Sequence, residues 1–389
     1  MIDECHTERR RYLETIHGVP FTEGNRVRPL RNGDEIFPAM LGAIESAEAS
    51  INFLTYVYWS GEIARRFAGA LAERARSGVA VRVLLDAYGA NKIPLTLVQE
   101  MEDAGADVRW FRPLKHARLW NFDNRTHRKA LICDDRIAFT GGVGVAREWE
   151  GNARNPDEWR ETHFELQGPS VHGVNGAFWN NWLETDQAPP SSTFRSAPPG
   201  ATAPSTGSAV QVVKSSAARH FSDAAVAMKA LIELAERRLR ICTPYLVLDE
   251  VFLELLCSKA RSGVDMEILI PGQFIDKRFE RWTAEKNFRD LIKAGVRIYR
   301  YQRTMIHTKI LLVDDDLACI GSPNFNQRSL RKDDECLAHV QDSELVRQLD
   351  EHFKEDLRNA EPIDDYKWLG NPKKEAIKRF LLRPFREQL

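Results

Sequence analysis

The spacing H-x-K-x-x-x-x-D occurs twice in the chain: His127, Lys129 and Asp134 in THRKALICDD, and His307, Lys309 and Asp314 in IHTKILLVDD. A histidine and a lysine two residues apart leave an extended strand on one face. Each copy therefore offers an imidazole beside an ammonium, which suits displacement at a phosphodiester. That substrate is a monoanion with a poor leaving group. Splitting its displacement into two steps needs a nucleophile, a proton donor for the departing alkoxide, and cations on the non-bridging oxygens. A neutral imidazole can attack phosphorus to give a phosphohistidine. A second, protonated imidazole can supply the proton, because histidine titrates near neutrality. Lys129 and Lys309 would hold the phosphate. The two histidines stand 180 residues apart in similar apolar contexts, so the copies read as two halves of one active site.

Each imidazole also needs an acceptor on its other ring nitrogen. Glu161 follows His127 by 34 residues and Glu335 follows His307 by 28, comparable positions that nominate both as orienting acids. Asp134 and Asp314 lie at an odd offset from their histidines, in Asp-Asp pairs that look like hairpin turns. They read as structural, holding turn backbone or a nearby cation. No H-E-x-x-H, C-x-x-C or EF-hand spacing occurs, so the sequence signals no metal site and asks for no cofactor.

The elements that position these residues are themselves duplicated. AIESAEASINFLTYVYW (43–59) parallels LIELAERRLRICTPYLV (231–247), RARSGVAVRVLLDAYG (74–89) parallels KARSGVDMEILIPGQF (259–274), and LVQEMEDAGADVRWFRP (97–113) parallels NFRDLIKAGVRIYRYQ (287–302), in the same order as the two motifs. Each block reads as a βα element. Helical spacing predicts a helix over 36–49, alternation a strand over 51–58, a further helix over 63–77 stopped by Gly78, and a buried strand over 79–85. Alternating β and α elements predict an α/β fold. Two copies predict two sheets or lobes related by a pseudo-twofold axis, with mixed or parallel sheets flanked by helices and one shared site. The expected organisation is an N-terminal segment (1–24), a first half (25–185), a Pro/Ser/Ala-rich linker (186–208), a second half (209–358) and a basic amphipathic tail (359–389).

With 389 residues and a formal net charge of −1, the chain has ample material for a core and no global basic field for nucleic acid. Six scattered cysteines read as buried reduced thiols. The charged N-terminus lacks a signal-peptide stretch, and no run of about 18 apolar residues occurs. Residues 367–389 carry seven Lys or Arg against two Glu, interleaved with bulky apolar residues. Such a segment suits an anionic membrane surface or docking on the protein body. The expected location is cytoplasmic, peripheral at the inner face of the cell membrane.

The two motifs closely resemble those of the phospholipase D superfamily. The carrying residues are NGDEIFPAMLGAIESAEASI, HRKALICDDRIAFTGG, WRETHFELQGPSV (159–171) and the second motif with GSPNFNQRSL (321–330). The resemblance spans about residues 25–358 and, within the superfamily, is greatest to bacterial cardiolipin synthases of the B type. It implies a ping-pong transfer through a phosphohistidine, with His127 as nucleophile and His307 as general acid/base. Lys129 and Lys309 then bind phosphate, Glu161 and Glu335 orient the imidazoles, and Ser322 and Asn324 match a substrate-binding G-S-x-N element. One departure stands out: Gly144 occupies a position where many relatives carry Asn. The implied reaction moves a phosphatidyl group from phosphatidylglycerol to a second lipid alcohol, phosphatidylglycerol or phosphatidylethanolamine. Hydrolysis to phosphatidic acid is the alternative, a nuclease on the same fold is disfavoured by the neutral charge, and intact motifs in both halves speak against a non-catalytic scaffold.

Overall fold

The computed structural model describes residues 2–113, 124–185, 207–218 and 222–363. Nearly all of the expected linker and the tail beyond Ile363 lie outside these residues.

The first half runs β1 (Thr22–Arg31), α2 (Asn32–Glu45), β2 (Ser50–Thr55), α3 (Glu62–Arg76), β3 (Ala80–Asp86), α4 (Leu95–Asp103), β4 (Asp107–Phe111), β5 (Ala130–Cys133), β6 (Ile137–Gly141), β7 (Thr162–Gln167) and α5 (Val171–Leu183), preceded by α1 (Ile2–His17). The second half repeats it as β8 (Ser208–Ser215), α6 (Asp223–Leu234), β9 (Arg238–Cys242), α7 (Glu250–Arg261), β10 (Asp265–Pro271), α8 (Arg278–Ala294), β11 (Arg297–Tyr301), β12 (Ile310–Val313), β13 (Leu317–Gly321), β14 (Glu335–Gln341) and α9 (Ser343–Leu357), closed by β15 (Ala360–Pro362).

The duplicated halves do not form two separate sheets. They share one 15-stranded sheet of order β15-β11-β10-β9-β12-β13-β14-β8-β1-β7-β6-β5-β2-β3-β4. From β4 to β11 that order reads as a palindrome about the antiparallel β1–β8 seam, where Thr22 pairs with Val210 and Asn25 with Ser208. The βα repeats supply the parallel strands on each flank, and the motif hairpins β5–β6 and β12–β13 are antiparallel. Period-two alternation explains the layers. Ile51, Phe53, Val81, Val83 and Leu85 pack under α2, α3 and α4. Leu54 and Leu84 face the other way, into a core shared by both halves beneath α5 and α9. Each fully buried Leu, Ile or Phe contributes about 1.5–3 kcal/mol, and a core spanning the seam makes the halves one folding unit.

Local boundaries differ from the pattern for traceable reasons. The helix expected over 36–49 is shifted to Asn32–Glu45 because the N–H groups of Glu48, Ala49 and Ser50 all donate to the Asp134 carboxylate at 2.7–2.8 Å. These donors hold the chain in a turn. The strand expected over 51–58 stops at Thr55, whose hydroxyl donates to the Val57 carbonyl, and Tyr58 instead bridges Val145. The N-terminal segment supplies α1, which docks on the second half: Leu13 joins that half's core, and Arg9 is ion-paired to Asp314 and Asp316.

Candidate active site

The two motif histidines and lysines were expected on strands, but they precede them. β5 starts at Ala130 and β12 at Ile310. Upstream of these strands each motif leaves its own half and pairs with the other. The His127 N–H donates to the Asp334 carbonyl at 2.8 Å, and the His307 N–H donates to the Arg160 carbonyl at 2.7 Å. Two parallel bridges, Thr126 with Asp334 and Arg160 with Ile306, complete this exchange. It delivers each histidine to a carboxylate of the opposite half, Glu335 as the first residue of β14 and Glu161 just before β7.

His127 Nδ1 lies 2.9 Å from Glu335 Oε1, and His307 Nδ1 lies 2.7 Å from Glu161 Oε2. Neither imidazole uses the acid downstream of its own motif. Lys129 Nζ donates to the His127 carbonyl at 2.6 Å, and Lys309 Nζ to the His307 carbonyl at 2.7 Å. Each ammonium thereby folds back beneath its histidine, and Lys309 also lies 3.1 Å from the His307 ring nitrogen Nδ1. Both glutamates are completely buried, and both lysines are at most 5% exposed.

That burial sets the charge state. Burial first, and then the neighbouring lysines, hold both imidazoles well below the usual histidine range. Burial lowers Lys129 against the pull of Glu335, and lowers Lys309 to about 8. It raises Glu335, and raises Glu161 to about 7. The shifts of both imidazoles favour the neutral form, the one that can attack. An arriving phosphate monoanion favours the cationic forms of its neighbours and restores protons to the cluster.

The remaining residues from the sequence fall into place around this centre. The Ser322 hydroxyl donates to Glu335 and accepts from the Cys336 N–H at 3.0 Å. The backbone N–H of Asn324 donates to Ser329 Oγ at 3.1 Å, while its Oδ1 is buried without a partner. Asp134 and Asp314 sit outside the centre in left-handed turns at φ +54° and +50°, a region Asp tolerates. Each collects three backbone N–H groups from the segment leading into β2 or β9. They anchor the strands beside the motifs.

Sequence reasoning missed the tryptophan walls, although Tyr56, an aromatic near a strand end, is open in the sequence to either a site-lining or a core reading. Trp149 and Trp159 both lie 5.4 Å from the His307 ring, and Tyr56 lies 5.4 Å from the His127 ring. Trp149 carried no signal beyond its residue type, because it reaches the site from the loop after β6 only once the chain has folded. Gly144 answers the departure noted above. A Cβ there would meet the Val57 Cβ at 2.7 Å and the Trp149 ring at 3.2 Å, so tryptophan packing has taken the space an asparagine would need. Tyr58, two residues beyond Tyr56, is a core residue whose hydroxyl donates to the Ala64 carbonyl.

Two imidazoles, each fixed by a buried carboxylate and underlain by an ammonium, form a centre able to pass a phosphoryl group through one histidine with the other handling protons. Known proteins agree with that class. A family described as "Cardiolipin synthase, PLD-like domain" matches residues 40–153 and 228–357, one segment in each half. The chain is 33% identical over 377 residues to cardiolipin synthase 1 of Bacillus anthracis, covering 95% of this chain and 73% of that one. It is 32% identical to the major cardiolipin synthase ClsA of Bacillus subtilis, covering 94% and 76%. In fold it matches the crystal structure of phosphatidylserine synthase from Haemophilus influenzae, with a TM-score of 0.70, 15% identity, and 98% and 100% of the two chains covered. The chain belongs to the cardiolipin synthase family of the phospholipase D superfamily.

Proposed function

We propose that the protein is a phosphatidyltransferase that moves a phosphatidyl group from phosphatidylglycerol through a phosphohistidine to a second lipid alcohol, with release of glycerol. The observation that carries this reading is the crossed pair of His–Glu contacts over two buried lysines. Glu335 accepts the Nδ1 proton of His127 and leaves the Nε2 lone pair bare for attack on phosphorus. As the N–P bond forms, the P–O bond to glycerol breaks, and His307 gives its proton to the departing oxygen. The accepting hydroxyl then returns a proton to His307 as its oxygen displaces His127. Lys129 and Lys309 hold the non-bridging oxygens throughout.

The difference between the two carboxylates supports this direction. Glu335 receives the Ser322 hydroxyl and is further stabilised by Ser329 and Lys129. Glu161 has the Thr162 N–H at 2.9 Å and rises to about 7. A Glu335 held by the Ser322 hydroxyl suits a histidine that must attack. A Glu161–His307 pair that keeps a proton near neutrality suits one that must donate it.

The acceptor alcohol decides the product. Water in place of the second lipid gives phosphatidic acid from the same intermediate. No described helix is long and apolar enough to cross a membrane. Contact with lipid through the basic segment at 367–389, at the inner face of the cell membrane, is part of this proposal. The test is mass spectrometry of lipids after incubating the purified chain with phosphatidylglycerol vesicles, with His127→Ala as control. Cardiolipin and free glycerol are expected. Phosphatidic acid alone makes it a hydrolase, and unchanged phosphatidylglycerol overturns the donor assignment.

A further inference from the structure

Two phospholipids meet in the reaction proposed above, and the buried centre accounts for one phosphate. The accepting lipid brings a second phosphodiester, also a monoanion, separated by three carbons and an ester oxygen from the hydroxyl that reacts. His307 activates that hydroxyl, so the second phosphate must come to rest at the rim on the His307 side, and it needs a cation there.

On that side lies one small apolar cluster, the buried Tyr245, Ile275 and Met305 with the half-buried Trp159 packed against them. Trp159 lies against the His307 ring, and Met305 stands two residues before His307. Lys277 rests on this cluster. Its ammonium lies 4.8 Å from the centre of the Tyr245 ring, and its side chain is 54% exposed. The Tyr245 hydroxyl is fixed by Asp276 at 2.8 Å, so the ring beneath the lysine is held in place. Glu280 lies 3.4 Å from the ammonium, is itself buried, and accepts from Asn326 Nδ2 at 3.3 Å. Asn326 in turn accepts the Ser329 N–H at 3.0 Å. Lys277 is thus tied to the loop that supports Glu335 while its head faces water. Its charge bears on both His127 and His307, which puts it within electrostatic reach of both. Arg328, the other cation near His127, is engaged by Asp333 at 2.9 Å.

We propose that Lys277 is the subsite for the acceptor phosphate: it binds the phosphodiester of the second phospholipid and so favours an anionic lipid over water or a neutral alcohol as acceptor. This rests on the phosphatidyltransferase reading. Donor chemistry draws on Lys129 and Lys309, so loss of Lys277 should fall on acceptor choice.

Two transfers from the same intermediate separate these roles. Purified full-length protein is incubated with phosphatidylglycerol vesicles and isotope-labelled glycerol. Transfer to glycerol, a neutral acceptor, returns labelled phosphatidylglycerol; transfer to lipid gives cardiolipin. Lys277→Gln is expected to lower the ratio of cardiolipin to labelled phosphatidylglycerol about tenfold, or about 1.4 kcal/mol, through a raised KM for the accepting lipid. Lys277→Arg should keep most of the ratio. The labelled product from the same variant reports that the protein is folded. Lys92→Gln removes an equal charge from the matching loop of the first half, where Lys92 lies 4.2 Å from the Trp59 ring. It controls for weaker vesicle binding and should leave the ratio at the wild-type value. An unchanged ratio in Lys277→Gln, or an equal fall in Lys92→Gln, overturns the subsite. A wild-type protein that forms neither product overturns the transferase reading itself, and the subsite with it.

Discussion

Around His127 the supporting side chains are Ser322, Asn324, Ser329 and Asp333; at the matching positions around His307 stand Gly142, Gly144, Trp149 and Trp159. The strand order is the same in both halves, and the glycines Gly141 and Gly321 match at φ +148° and +146°. The lining differs. One imidazole is backed by a carboxylate with hydroxyl support, and the other packs against indole rings. Even the missing serine has a steric cause, since a Cβ on Gly142 would press on the Glu161 carboxylate and lie 2.8 Å from the Lys309 ammonium. Duplication supplies two equivalent histidines, and a two-step transfer needs them to be inequivalent. The lining is where the halves have diverged to meet that need.

The comparison breaks most sharply if one histidine proves dispensable. His127→Ala and His307→Ala should each lower cardiolipin formation by about 10⁴-fold or more, and the double variant should be no worse than either, because the two act as one unit. Residual turnover of a tenth in either single variant would falsify the paired scheme. Next in size are the carboxylates. Glu335→Gln and Glu161→Gln should each cost about 10²–10³-fold, as loss of a partner that orients an imidazole does. They should differ in kind: stopped-time trapping should find little phosphohistidine in Glu335→Gln, whereas Glu161→Gln, which slows proton transfer in both steps, should still accumulate some. Identical trapping in the two variants removes the functional distinction between the halves.

The pH profile sharpens the comparison further. The rate should be bell-shaped, since one imidazole must be neutral and the other protonated. In the empty enzyme burial and the lysines depress both imidazoles. Bound phosphate favours the protonated forms and raises those values. Both limbs of the kcat profile should therefore lie at higher pH than those of kcat/KM, and coincident profiles count against a buried cluster that charges on binding. The smallest effect concerns packing. Gly144→Asn, which installs the residue many relatives carry, should destabilise the protein by about 1–3 kcal/mol through overpacking against Val57 and Trp149. Thermal unfolding reads this as a lower Tm; an unchanged Tm means the wall has room to yield.

The sequence alone determined the duplication, the α/β class and the identity of the residues that gather at the centre, because residue type, spacing and periodicity are local properties that a repeat displays twice. It also marked Asp134 and Asp314 as structural, from an offset that carries them off the histidine face. Only the tertiary structure decided that the halves merge into one sheet, since edge pairing of β1 with β8 depends on which strands are left uncovered after each half has folded. Only it decided that His127 is served by Glu335 and His307 by Glu161. That exchange follows from backbone bonds between the motif of one half and the Arg160–Glu161 or Asp334–Glu335 segment of the other. Such contacts join residues more than 140 positions apart, and no pattern along the chain encodes which of two equivalent partners a side chain will meet once a pseudo-twofold axis has brought both within reach.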